Sequence, residues 1–346
     1  MAERILLTGA SGVLGRALVA PLAAQGTLHA VARRIPPDAA GAIWHAADLL
    51  DEGAARALIR DIRPTLLVHA AWYVAHGAFW TAPENDAWVE ASDALAAAFA
   101  AAGGRRVLGI GSCAEYAASD GGDAAPWPER RRIDPATPYG RAKADLAARL
   151  ARRGGFELAW ARLFLIFGPG EHPDRLVPSV ARALAEGREA LLASGRPVRD
   201  FASTRFLGQG LAALAGSRVT GPINVASGEG RAIADVARIL GRVAGREALL
   251  RLGALPDRPG EVPVMVADVG RLRREVGFAA PPMVEQDLRA LLADFRAQTV
   301  SVSVREHLES VELPVIRSAG AIRGGVADVD DGEPVAVRPE QAALPQ

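Results

Sequence analysis

The sequence predicts an α/β protein, a doubly wound parallel sheet followed by a smaller second α/β domain. Three observations predict it. Short β-rich runs alternate with alanine-rich helical patterns through the first half of the chain, and strand–helix alternation of that kind builds parallel sheets. The strand runs are apolar along nearly their whole length, as strands covered on both faces must be. The first of them, "RILLTG", leads straight into further glycines and an amphipathic helical pattern, a strand–turn–helix unit whose ligand lies at the carboxyl ends of the strands.

In chain order, "TLHAVAR", "TLLVHAA", "RRVLGIGS" and "FELAWARLF" read as the next strands, and helices are expected near 13–25, 51–61, 85–102 and 139–153. After about residue 166 the turn-rich "FGPGEHPD" breaks the alternation. Helical patterns follow near 174–187 and 203–216, and "GPINVASGEG" reads as a short strand before a helix from Arg231. The expected organisation is a first domain over 1–166 with later contributions from about 198–226, and an interleaved second domain over 167–297. Residues 298–346, with weak periodicity and an acidic, Gly- and Pro-bearing end, read as a disordered tail.

The 346 residues, 50% hydrophobic and 23% charged, fit a soluble globular enzyme of one or two domains. Lys+Arg and Asp+Glu number 40 each, so no long-range field gathers nucleic acid or an anionic membrane surface. Any anionic ligand must be held by local groups. A single cysteine forms no internal disulfide, and the scattered histidines lack zinc-ligand spacing, so no metal is expected. Without a signal-peptide pattern or an apolar stretch of ~20 residues, a cytoplasmic, non-membrane protein is expected.

Gly9, Gly12 and Gly15 follow the first strand and open the first helix. A pyrophosphate approaches closely only where Cβ atoms are absent, and the helix N-terminus offers unpaired N–H groups and partial positive charge. The first domain is therefore expected to bind a dinucleotide. An acidic residue at the end of the second strand would bind a ribose 2′-hydroxyl, but "AVARRIPP" puts Arg33 and Arg34 there. NADP(H) is the expected cofactor, and NAD(H) the alternative if both arginines merely face solvent.

Tyr139 and Lys143 stand four apart at the start of a helix, on one face. A phenol titrates near ~10, and an ammonium held beside it stabilises the phenolate and makes it a usable base. The same spacing also suits an amphipathic helix with a surface lysine. Cys113 has no histidine in sequence reach and lies beside Glu115, which disfavours the thiolate, so it reads as a small filler and not a nucleophile.

The Gly-x-x-Gly-x-x-Gly of "TGASGVLG" and the Tyr-x-x-x-Lys of "YGRAK" resemble the extended short-chain dehydrogenases/reductases, the NAD(P)-dependent epimerase/dehydratase family. "ARLFLIFGPGEH", "PVRDFAS", "INVASGEG" and "DRPGEVPVMVAD" are similar to that family's later segments in order and spacing, so the resemblance covers about residues 3 to 296. It implies a Rossmann first domain and hydride transfer at a sugar carbon. Ser112 would hydrogen-bond the reacting oxygen, Tyr139 would move its proton, and Lys143 would also hold the nicotinamide ribose. The implied cofactor contacts are Gly9, Ser11, Gly12, Val13, Leu14, Gly15, Asp48, Leu49, Ala70, Ala71, Trp72, Tyr139 and Lys143, beside Arg33 and Arg34.

The implied substrate is a nucleotide sugar, with Arg199 and Arg258 near its diphosphate, Glu261 near its ribose and Arg175 as a further contact. Glu115 either lines the pocket or packs. Tyr73, Phe79, Trp80 and Trp88 join Trp72 in or near the loop after the fourth strand, either stacking on a sugar or base or packing among themselves. Relatives that dimerise do so through the helices expected here at 85–102 and 139–153, so a homodimer is implied. Cys113 and Ala114 stand where family dehydratases keep an acid and a base, which disfavours elimination. Leu165 and Arg205-Phe206 also depart from the pattern, leaving two alternatives open: an NADPH-dependent reductase of a non-nucleotide carbonyl compound, or a non-catalytic dinucleotide-binding protein.

Overall fold

The computed structural model describes residues 3–119 and 126–310. Strands β1 (Arg4–Thr8), β2 (Thr27–Ala32), β3 (Ile43–Ala46), β4 (Leu66–His69), β5 (Arg106–Ser112) and β6 (Glu157–Leu163) lie in one sheet, joined by helices α1 (Val13–Ala23), α2 (Glu52–Ile62), α3 (Glu84–Ala101) and α4 (Pro138–Arg153). The chain then forms β7 (Leu165–Phe167), α5 (Leu176–Ala185), β8 (Ala190–Leu191), β9 (Val198–Ser203) and α6 (Thr204–Gly216). Next, β10 (Gly221–Val225) returns to the first sheet and pairs in parallel with β6. The resulting order is β10-β6-β5-β4-β1-β2-β3, and every pair in it is parallel.

Side chains of β1 show why both faces must be covered. Ile5 and Leu7 join the apolar cluster that includes Leu18, Leu22, Leu207 and Leu211 of α1 and α6. Leu6 points the other way, into a cluster with Leu58, Ile59, Leu95 and Phe99 of α2 and α3, as the two-residue period of a strand requires. The backbones of α1 and α6 touch closely, for a Cβ on Gly208 would stand 2.3 Å from Ala17 O. Helix α6 and β10 thus lie with the first sheet although they follow β7, whereas β9, at the start of the contribution expected from about 198–226, pairs with β7 outside that sheet instead.

The remaining elements are β11 (Gly230–Ala232), α7 (Ile233–Ala244), β12 (Leu250–Arg251), β13 (Val264–Met265), α8 (Gly270–Arg274) and α9 (Val284–Ser310). They build a second sheet, β11-β9-β13 with β7 beside β9. A second core of Phe167, Val180, Leu184, Phe201, Leu240 and Leu288 lies under α5, α7 and α9. The tail expected from residue 298 needs correction in part: α9 continues to Ser310, and the rest of that segment lies outside the described residues. Strand β3 and the two- and three-residue strands were not read from their residue pattern, because strands so short carry almost no periodicity.

Strand order reverses between β1 and β4, and the crevice outside their carboxyl ends is where such a sheet binds its ligand. The loops there are packed backbone to backbone. Gly9 has φ +68°, and a Cβ on it would meet Ala71 N at 2.7 Å, while a Cβ on Gly15 would stand 2.0 Å from Gly9 O. A Gly15→Ala variant is expected to force this turn open, losing about 1–3 kcal/mol of stability and at least tenfold in dinucleotide affinity. Urea unfolding and a fluorescence titration check both.

Candidate active site

The glycine loop ends in an anion cradle. Gly12 is the N-cap of α1 and supplies no side-chain cap, so the first N–H groups of the helix remain available to an anion. Ser11 and Gly12 are exposed, Gly9, Val13 and Leu14 are half-buried, and Gly15 is buried. Arg33 and Arg34 are exposed just past β2. Asp38, in the loop after β2, is engaged by Arg16 at 2.8 Å. Asp48 is exposed and accepts Leu50 N at 3.0 Å, whereas the Leu49 side chain packs in the core. Ala70, Ala71 and Trp72 follow β4 directly, with the Ala70 and Ala71 backbone packed against Gly9. The cradle and these loops fit a dinucleotide.

The next strand sets the reactive groups. Thr137 caps α4 by accepting Gly140 N at 3.1 Å, and Pro138 begins the helix. A Cβ on Gly140 would stand 2.2 Å from Ala114 O, so this glycine lets the helix start dock against the end of β5. Tyr139 is thereby brought to the same end of the sheet as Ser112, within interaction range of its hydroxyl. One turn on, the buried Lys143 donates from Nζ to Ile110 O at 2.9 Å, and the nitrogen lies 6.0 Å from the Tyr139 ring centre. The structure therefore brings Ser112, Tyr139 and Lys143 together at the carboxyl end of β5.

The electrostatics differ from the sequence expectation in one respect. Burial pushes the Tyr139 phenol above its ordinary value, and the Ser112 hydroxyl and Arg175 offset only part of that. The phenol is thus held as an acid in the protein alone, not lowered by its lysine neighbour. Burial likewise pulls Lys143 down to about 7, with Glu115 opposing, and pushes the Cys113 thiol up to about 12. A thiol at that value supplies no thiolate at neutral pH.

Glu115, entertained as a substrate contact, must be corrected. It is 0% exposed, and its carboxylate is spent inside the protein. Arg162 Nε donates to it at 2.6 Å, Trp160 Nε1 at 3.0 Å and Ser112 N at 2.8 Å. Together with Ser112 Oγ accepting Ala114 N, the last contact forms a capping box that fixes Ser112 at the strand end. Glycines 109 and 111 make room, since a Cβ on either would strike the Trp160 ring at 2.4 Å or closer.

Of the arginines expected at the substrate, Arg199 is buried and donates to Glu261 Oε1 at 2.7 Å. Arg258 and Glu261 line a cleft of about 220 Å³ with Ser194, Arg196 and Asp257. Arg199 and Cys113 act on each other electrostatically, and Arg199 reaches the cleft through Glu261. Arg175 lies within electrostatic range of Tyr139 but is paired with Glu171 at 2.6 Å. Burial raises Glu171 to about 7, the arginine opposing. His76 and His172 stack at 4.5 Å, so the loops after β4 and β7 meet.

The packed reading of the aromatic segment is the one the geometry supports. Phe79 and Trp80 stand edge-on to Tyr139 at 5.0 and 5.6 Å, and Trp72 lies face-on to Lys143 at 3.6 Å. Sequence reasoning missed these supports, although one signal was available: Lys143 is the only lysine in 346 residues, every other residue among the 40 Lys and Arg being arginine. Among the described residues, no group of three or more His, Cys, Asp and Glu is placed to hold a metal ion. No helix among them is long and apolar enough to cross a membrane.

Solved structures similar to this chain include UDP-glucose 4-epimerase of Thermus thermophilus in complex with NAD, with a TM-score of 0.74 and 21% identity over 85% of this chain and 99% of that one. The UDP-N-acetylglucosamine 4-epimerase of Methanobrevibacter ruminantium, solved with UDP-N-acetylmuramic acid, gives 0.76 and 22% over 86% and 100%. TunA, an NAD-dependent NDP-hexosamine 5,6-dehydratase, gives 0.73 and 25% over 85% and 98%. Residues 5–225, well over half of the chain, match the NAD dependent epimerase/dehydratase family. With its parallel sheet, its glycine cradle and its place among these folds, the chain belongs to that family and is an enzyme of the extended short-chain dehydrogenase/reductase type.

Proposed function

We propose that this enzyme acts on a nucleotide sugar by moving hydride at a sugar carbon, as a 4-epimerase or a 4-ketoreductase. The observation that carries the reading is Ser112, Tyr139 and Lys143 at the carboxyl end of β5, in the same parallel sheet whose β1 leads into the glycine loop, with Arg199 within electrostatic range of Cys113. The nicotinamide, when bound, takes or gives the hydride. In this reading Ser112 donates to the reacting oxygen, Tyr139 gives that oxygen its proton or removes it, and Lys143 holds the ribose and supports the phenol's charge. Arg199 and Arg258 grip the diphosphate, and Glu261 takes the ribose hydroxyls. The neighbours named for UDP-sugars support the substrate class.

Elimination of water is disfavoured. Ala114 has no acid or base, and the Cys113 thiol stays protonated, although TunA, a dehydratase, shares the fold. Leu165, where many relatives carry asparagine, favours a second reading as a reductase of a non-nucleotide carbonyl compound. Helices α3 and α4, tied by Arg149–Glu90 at 2.7 Å, are the proposed homodimer faces.

The test is to incubate the protein with NADH or NADPH and a panel of 4-keto and 4-hydroxy sugar nucleotides, following nicotinamide absorbance and product NMR. Stoichiometric oxidation of the dinucleotide marks a reductase, and epimer without net oxidation marks an epimerase. No reaction with any sugar nucleotide, together with reduction of simple ketones, selects the second reading. The same titrations address the cofactor. The place of Arg33 and Arg34 just past β2 supports NADP(H), while their exposure to solvent and the NAD in neighbouring complexes support NAD(H). The arginines predict at least tenfold tighter NADPH than NADH, a gap that closes in Arg33→Ser/Arg34→Ser. NADH binding as tight or tighter assigns NAD instead.

A further inference from the structure

Lys143 is 4% exposed, and burying an ammonium is costly unless something nearby favours its charge. Its surroundings supply little of that. Its Nζ donates to one carbonyl, Ile110 O, which satisfies one of three N–H groups. Of the titratable groups around it, His69 is neutral, driven to about 3 by burial. The Cys113 thiol and the Tyr139 phenol are both pushed toward their protonated forms. Glu115 favours the ammonium, but Arg162 already holds its carboxylate at 2.6 Å.

What faces the ammonium directly is an indole. The Trp72 ring centre is 3.6 Å from Lys143 Nζ, and a π face attracts a desolvated cation. The ring is held there. Trp72 Nε1 donates to Asn85 Oδ1 at 2.9 Å, and Asn85 Nδ2 donates to Phe79 O and Ala82 O at 2.8 and 2.9 Å. With Asn85 1% exposed, this side-chain amide locks the whole loop. The same loop sets the Phe79 and Trp80 rings edge-on to Tyr139 and receives Tyr139 N at Trp80 O, 3.1 Å.

We propose that Trp72 is a positioning residue for the Tyr139–Lys143 pair: its π face, pinned by Asn85, keeps the buried Lys143 in its ammonium form at the end of β5. The proposal rests on the reading that Lys143 works with Tyr139. Because burial draws the lysine down to about 7, a modest attraction decides its charge at neutral pH. A flat ring accepts no proton and competes for none, so one N–H stays on Ile110 O and the others are left for a ribose.

The only lysine in the chain makes a direct test possible. Protein labelled with [ε-13C]lysine shows one side-chain resonance, whose pH titration reads Lys143 alone in the dinucleotide-free protein. Relative to the parent, the midpoint is expected to fall by about one unit or more in Trp72→Leu and by only a few tenths in Trp72→Phe, which keeps a π face. If the Leu variant does not fold, biosynthetic 5-fluoro- and 5,7-difluorotryptophan weaken the ring's attraction without changing its shape. The midpoint should then fall stepwise with fluorination. An unchanged midpoint in the Leu variant, or in the fluorinated series, overturns the proposal. The pH profile of kcat should move with the midpoint while KM for the sugar nucleotide stays within about twofold. A midpoint that moves without the kcat profile upholds Trp72's hold on Lys143 and refutes the role given to Lys143.

Discussion

A Tyr139→Phe variant is expected to lose about 10²–10⁴-fold in turnover while keeping its fold and its dinucleotide affinity. The change removes one oxygen and nothing else. The ring keeps its edge contacts with Phe79 and Trp80, its backbone N–H still reaches Trp80 O, and Lys143 keeps its bond to Ile110 O. What disappears is the hydroxyl beside Ser112, the group proposed to exchange a proton with the substrate oxygen. Because the variant cannot change the reaction's equilibrium constant, kcat/KM should fall by the same factor in both directions. Steady-state kinetics in both directions, with a dinucleotide titration and circular dichroism as controls, measures it. Wild-type turnover in a folded Phe variant would remove tyrosine, and with it the proposed proton transfer, from the mechanism.

How much of this was legible in the sequence follows from the range of the interactions involved. The glycine triplet and the Tyr–Lys spacing are local patterns, set by one turn and one helix face, and they stand where they were expected. Strands β1, β2, β4, β5 and β6 were legible because a strand covered on both faces must be apolar throughout. Glu115 was left between two readings because two of its partners are 45 and 47 residues away in sequence, on β6, and the local Ser112–Glu115 capping box alone does not announce a carboxylate paired inside. The net rise at Tyr139 was missed for a related reason: the spacing showed an ammonium nearby but not the burial that outweighs it. Trp72 was visible as an aromatic residue, yet only the fold reveals which side chain its face covers.

An Arg162→Met variant is expected to lose about 3–5 kcal/mol of stability, the usual consequence of leaving a buried charge without its partner. Glu115 is 0% exposed and Arg162 6%, so water cannot take over. The guanidinium also donates to Tyr116 Oη and Glu129 O, both at 3.2 Å, and lies 4.7 Å over the Tyr116 ring. Tyr116 in turn donates to Asn224 Oδ1 at 2.7 Å, and Asn224 reaches Trp127 O at 2.8 Å. One cation therefore ties β5, β6 and β10 beneath the reactive end of the sheet. Removing both charges, as in Arg162→Met/Glu115→Leu, should recover part of the stability, because the isolated carboxylate and not the absent pair is the larger penalty. That recovered stability should not come with parent turnover, since in the double variant Ser112 lacks the carboxylate that accepts its N–H. Urea unfolding of the parent, the single and the double variant separates these contributions. A single variant within about 1 kcal/mol of the parent would mean that the pair is solvated in solution, and Ser112 would then owe its position to the capping turn alone.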